Sequence, residues 1–74
     1  MEQLLEILEG VRPDLDFDLE NALVDDGILD SFDIITIVGE INEAYNIEID
    51  VVDLLPENFN SAEVIYDLIK KLQD

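Results

Sequence analysis

Apolar residues recur at helical spacing in three stretches of this chain, with turn-forming residues between them. In the first, Leu4, Leu5, Ile7, Leu8 and Val11 alternate with Glu2, Glu6 and Glu9. This is the pattern of an amphipathic helix whose apolar stripe faces a core. Gly10 and Pro13 are expected to end it, the glycine by permitting a left-handed cap and the proline by lacking a donor. In the second stretch, from Ser31 to about Tyr45, a projection at about 100° per residue gathers Ile34, Ile37, Val38, Ile41, Ala44 and Tyr45 within roughly a third of the circumference. Asp33, Thr36, Glu40 and Glu43 fall opposite, and Asn46 is expected to stop the helix. The third opens with Asn60-Ser61-Ala62-Glu63, which fits a capping box with Asn60 as cap and Glu63 reaching back. Val64, Ile65, Leu68, Ile69 and Leu72 form its apolar face, and Lys70 and Lys71 suit the negative end of its dipole.

The connections differ in character. Asp14-Leu15-Asp16-Phe17-Asp18-Leu19 alternates like a strand, yet a lone strand has nothing to pair with. Residues 14–29 are therefore read as an ordered loop whose Leu15, Phe17, Leu19, Leu23 and Ile28 dip into the core, with a short helical turn over Glu20 to Val24. So long a connection inside a compact domain is often a sign of function. Ile47, Ile49, Val51, Val52, Leu54 and Leu55 make a second, apolar connector, expected to hold one short helix ended by Pro56. Three principal helices, one short helix and a long first loop describe a small all-α bundle, with residues 1–74 expected to form a single domain.

Charge modifies this picture without overturning it. Twenty acidic residues against three basic ones give a formal net charge of −17. That excess would predict disorder in a chain poor in apolar residues, but hydrophobic residues make up 49% here, enough for an aliphatic core under a charged exterior. Nucleic acid and anionic membranes are disfavoured as partners, because a phosphate backbone is neutralised by Lys and Arg. Partners with basic patches are expected instead, with association that weakens as salt rises. The chain has no cysteine and no histidine, which removes disulfides, thiolate metal sites and a cysteine nucleophile. The first residues lack the basic start and apolar run of a signal peptide, and no apolar stretch approaches the ~20 residues that span a bilayer. A cytoplasmic monomer is the default expectation.

The candidate chemistry centres on Asp25-Asp26-Gly27-Ile28-Leu29-Asp30-Ser31-Phe32-Asp33. Asp30 reads as the N-cap of the central helix, its carboxylate accepting from the free amides near Phe32 and Asp33. Ser31 is then the first helical residue. With no base nearby it is poorly equipped as a nucleophile of its own, but well placed to be modified. A phosphate ester on its oxygen would sit where the exposed amides and the helix dipole favour an anion. Asp-Ser is also a common way to begin a helix, so the pair alone decides little. Phe32 and Ile35, with Gly39, lie off the core stripe on the flank near the serine, ringed by Asp33, Thr36, Glu40 and Glu43. Either the long loop covers this apolar spot, or it is a docking surface with an acidic rim.

Gly27-Ile28-Leu29-Asp30-Ser31-Phe32 resembles the attachment motif of the acyl carrier and peptidyl carrier proteins. In that family an Asp-Ser-Leu-like triplet opens the second helix and the serine carries 4′-phosphopantetheine. The likeness covers essentially the whole chain: its length, acidity, long first loop, central helix beginning at the serine, and short helix before the last. The Gly-Ile-Leu-Asp-Ser-Phe form is especially similar to D-alanyl carrier proteins and other free-standing carriers. Phe32 stands where the fatty-acid carriers usually have Leu, and Thr36 and Gly39 stand where they usually present an acidic and a larger apolar residue. The resemblance implies an acyl-carrier-like bundle with a phosphopantetheine arm on Ser31, beside Asp30. It also implies a phosphopantetheinyl transferase that brings the metal and the base for attachment. Phe32, Asp33, Ile35, Thr36, Gly39, Glu40 and Glu43 would meet basic patches on an adenylating ligase, an acyltransferase or a synthase. Such a protein catalyses nothing itself; it tethers and delivers an acyl or aminoacyl group, D-alanine being one candidate cargo.

Three other readings are weaker. Asp14-x-Asp16-x-Asp18 suggests calcium, but an EF-hand loop wants Gly at its sixth position and Glu at its twelfth, where this chain has Leu19 and Asp25. An acidic protein that mimics DNA fits the charge but gives no reason for an Asp-Ser helix start flanked by apolar residues. A hydrolase using Asp25 and Asp30 needs a cleft that so small a bundle has little room to build.

Overall fold

The computed structural model describes residues 1–73. Four α-helices, α1 (Glu2–Val11), α2 (Ser31–Tyr45), α3 (Pro56–Phe59) and α4 (Ala62–Gln73), are joined by a long first loop and a connector containing a 3₁₀ turn at Val51–Asp53. No strand occurs among the described residues. This is the all-α, acyl-carrier-like bundle expected from the sequence. α1 packs against α2 and α4, and α3 packs against α4.

Each long helix buries one stripe. Leu4 and Leu8 of α1, Ile37 and Ile41 of α2, and Ala62, Ile65, Leu68 and Ile69 of α4 meet in one core. Phe17, Leu23 and Leu29 of the first loop, Ile49 of the connector and Phe59 of α3 complete it. Ala44 departs from expectation and is exposed. It sits in the last turn of α2, past Ile37 and Ile41, the two residues that the helix buries fully.

The helix ends follow local chemistry, not always as foreseen. α1 runs through Gly10 and stops at Val11, and Arg12 leaves the helix with φ −134°. The stop is set by Pro13, whose ring disfavours helical geometry in the residue before it, so no left-handed glycine is needed. α2 ends as expected at Asn46, a left-handed cap with φ 53°. Its carbonyl at Asn42 accepts the amide of Ile47 (3.2 Å), and the Asn42 side chain accepts that of Ile49 (2.9 Å), which steers the chain into the connector. Pro56 begins a helix instead of ending one. It occupies the first turn of α3, where its missing N–H costs nothing and its φ is already helical. α4 starts one residue later than the capping box implied: the Ser61 hydroxyl accepts the amide of Val64 at 3.2 Å, and the Ser61 carbonyl takes that of Ile65. Asn60, the expected cap, is engaged elsewhere.

Replacing fully buried Leu8 or Ile37 by Ala should cost about 2–5 kcal/mol, most of the stability expected of so small a domain. Leu19→Ala, at an exposed position, should stay within about 0.5 kcal/mol. Urea titrations of the three variants check both statements.

Candidate functional site

The first loop is held at both ends by polar residues and in the middle by apolar ones. The Asn60 side-chain oxygen accepts the amides of Val24 and Asp25, both at 3.0 Å, and its amide group donates to the Asp25 carboxylate at 3.1 Å. The Asn60 backbone carbonyl takes the amide of Leu23 at 2.9 Å. One residue at the α3–α4 junction thus satisfies three successive loop amides, those of buried Leu23, half-buried Val24 and exposed Asp25. The helical turn expected over Glu20 to Val24 falls three residues later, over Leu23–Gly27. Gly27 closes it with φ +71°, a left-handed conformation that glycine adopts without penalty. Leu15 and Ile28 are half-buried, Phe17 and Leu23 fully so. Leu19 is not, with 74% of its surface exposed. A tight turn, in which the Asp16 carbonyl accepts the amides of Leu19 and Glu20 and its carboxylate accepts that of Asp18, swings Leu19 outward. The period-two reading of this stretch could not register that turn.

The other anchor is Arg12. Its guanidinium donates to both carboxylate oxygens of Asp14 (3.1 and 2.9 Å), to the carbonyl of Ile28 (3.0 Å) and to the carboxylate of Asp33 (2.8 Å). It joins the end of α1, the last part of the loop and the first turn of α2. Those hydrogen bonds, to Asp14 first and Asp33 second, raise the pKa of Arg12, and the bond from Arg12 holds the Asp14 carboxyl below its usual range. Asp14 is thereby committed to Arg12 and Asp16 to the amide of Asp18. Among the described residues no group of three or more His, Asp or Glu side chains could hold a metal ion. Arg12 and Asn60 are the site residues that sequence reasoning missed. The one available signal was that Arg12 is the sole arginine of a strongly acidic chain.

Between these anchors α2 begins as the sequence predicts. Asp30, extended at φ −97°, caps the helix by accepting the amide of Asp33 at 2.8 Å. Asp33 returns the contact, accepting the amide of Asp30 at 3.4 Å. The usual Glu at that position would reach further, which accounts for the length. Ile34 donates to the carbonyl of Asp30, so the end amides without an acceptor in the cap are those of Ser31 and Phe32, at the serine itself. Ser31 is the first helical residue and is exposed.

The surrounding face is open. Phe32 and Ile35 are 76% and 65% exposed, so the long loop does not cover them. Gly39, Glu40 and Glu43 are exposed as well. Thr36 is half-buried, its hydroxyl donating to the carbonyl of Phe32 at 3.0 Å. Asp33 stands apart from the expected rim: its carboxylate is turned to Arg12 and its side chain is only 17% exposed. The structure thus brings Asp30, Ser31, Phe32 and Ile35 together at one helix end, with Glu40 and Glu43 further along. Asp33 braces them from beneath.

An exposed hydroxyl, free end amides and a carboxylate already neutralised by arginine suit a phosphodiester on Ser31. The match to known families agrees with this. A family model described as phosphopantetheine attachment site matches residues 2–69. The chain belongs to that family and is a carrier of covalently attached 4′-phosphopantetheine. No curated protein and no solved structure matches the chain. No helix among the described residues is long and apolar enough to cross a membrane.

The Arg12–Asp14 pair sets a pH dependence of definite sign. Asp14 has a lower pKa folded than unfolded, where about 3.9 is usual. Its contribution is therefore present above that value and is lost as pH falls through the folded one. As pH falls below about 4, the melting temperature of the native chain should fall more steeply than that of Asp14→Asn, as scanning calorimetry would show. Asn60→Ala, which leaves the amides of Val24 and Asp25 without their acceptor, should cost about 1–3 kcal/mol in the same experiment.

Proposed function

We propose that Ser31 is the attachment residue, and that the chain delivers an acyl or aminoacyl group to enzymes that dock on the exposed face of α2. The observation that carries this reading is the exposed serine at the first position of a capped helix, flanked by Phe32 and Ile35, in a chain of this family.

In the attachment step the Ser31 Oγ forms the new bond to the β-phosphorus of coenzyme A, and the pyrophosphate bond breaks. The hydroxyl proton passes to a base of the transferase, and 3′-phosphoadenosine 5′-phosphate departs. Asp30 fixes the turn that presents the oxygen, and Arg12, through Asp33 and Ile28, fixes that turn against α1. The arm supplies a thiol to a chain without cysteine, on which a carboxylic acid is kept activated as a thioester. Glu40 and Glu43 attract basic partners, speed encounter and allow release, while Phe32 and Ile35 provide apolar anchors. Tethering raises the local concentration of cargo at each enzyme in turn.

Intact mass measured before and after incubation with coenzyme A, Mg²⁺ and a phosphopantetheinyl transferase tests the assignment. One phosphopantetheine should appear on the native chain and none on Ser31→Ala. An arm on that variant refutes the site. No gain on the folded native chain would favour an acidic binding protein instead. Glu40→Lys and Glu43→Lys should each lower kcat/KM for loading by about two- to tenfold, the scale of losing a rim charge pair, with melting temperatures nearly unchanged. Equal loading rates would remove the docking role from these residues.

A further inference from the structure

A groove of about 650 Å³ runs between α1 and α2, starting at the helix ends that Arg12 joins. Its α2 wall carries Phe32 and Glu40, two turns apart on one rail, and its α1 wall carries Glu6, Ile7, Gly10 and Val11. It touches neither Ile35 nor Gly39 and shares Phe32, Thr36 and Glu40 with the face of α2 described above; what it adds is the α1 wall.

Three properties define what fits it. Ile7, Val11 and the ring of Phe32 supply apolar contact. Glu6 and Glu40 are both exposed, and neither takes part in a salt bridge among the described residues. Asp33, which also borders the groove, already holds Arg12. The charge on offer thus comes from one carboxylate on each wall. Gly10 keeps the α1 wall low: a Cβ built there meets nothing within 4 Å. The bundle therefore gains no packing from the glycine, although glycine weakens a helix. A bare position that the fold does not require leaves room for something from outside.

We infer that this groove receives an arginine side chain of a partner protein. An arginine has an aliphatic stem for Ile7 and Val11, a planar cation that stacks on an aromatic ring, and donors for carboxylates on two sides. A purely apolar side chain would leave both glutamates unused. A lysine would lose the stacking with Phe32. The inference rests on the carrier reading only for the purpose of the contact, since the groove recognises the side chain whatever the partner does.

The test is a titration of the ¹⁵N-labelled full chain with N-acetyl-arginine amide, N-acetyl-lysine amide and N-acetyl-leucine amide at low salt, followed by amide chemical shifts. The arginine probe should move the signals of Ile7, Gly10, Val11 and Phe32 first, at concentrations about threefold below the lysine probe, because the planar guanidinium stacks flat on the ring and forks to carboxylates where an ammonium over the ring does not. The leucine probe should leave them in place. Gly10→Leu, which fills the groove without removing a charge, should abolish the localised shifts while helicity and melting temperature are kept. Glu6→Gln with Glu40→Gln should weaken them. Equal shifts from both cations spread over all the acidic helices would overturn the inference, as would an unaltered response in Gly10→Leu. Loading of Ser31 is read separately by mass, so failure of the probes with loading intact discards the groove alone. Failure of loading with the probes still bound discards the carrier reading alone.

Discussion

The fork of hydrogen bonds from Arg12 is the contact on which the presentation of Ser31 depends. Four of its donor contacts reach three segments that the chain keeps far apart: Asp14 just after α1, Ile28 at the end of the loop, and Asp33 in the first turn of α2. A planar guanidinium can satisfy several acceptors at fixed angles in a way that an ammonium cannot. In a chain of net charge −17 a cation at this point also relieves a local excess of carboxylates. Asp33 shares in that relief through its 2.8 Å contact with Arg12, and it lies within a turn of the serine. Without Arg12 the capping box would hold two unopposed carboxylates beside the Ser31 hydroxyl.

The loop completes what the arginine begins. Nineteen or so residues of irregular backbone would ordinarily be a mobile segment, yet this one contributes Phe17, Leu23 and Leu29 to the core and surrenders three amides to Asn60. Its two polar anchors are Arg12, just past the end of α1, and Asn60, just before α4. The start of α2 is therefore set by the whole fold and not by its own cap alone.

The three long helices were legible because burial on one side writes a period near 3.6 into the sequence, and Phe32 and Ile35 stood out because they break that period, but only the structure shows that the loop leaves them uncovered. That Ser31 opens α2 followed from Asp30 as its cap. What escaped was everything decided by side chains reaching across the chain. Asn60 looks like a cap and is one type of residue that caps well, but the loop amides 35 and 36 residues away compete for its oxygen and Ser61 takes the helix. Asp33 sits on the polar side of the wheel, yet a wheel has no knowledge of Arg12, and the ion pair moves it from rim to brace. Leu19 and Pro56 failed for local reasons: the turn from Asp16 to Glu20 swings Leu19 outward, and a proline suits the first turn of a helix as well as the stop after one.

The acidity of the chain and its open apolar residues belong to one arrangement. Phe32, Ile35, Val51 and Val52 are all largely exposed, and exposed apolar residues on a small domain invite self-association. A second copy of this chain would bring the same patch but also the same 17 excess negative charges, and like-charge repulsion opposes that encounter at any orientation. A partner with basic residues gains from both terms. The charge therefore acts as a filter on the apolar anchors: it leaves them uncovered while rejecting the surface most abundantly available to cover them. This selection needs no tight interface.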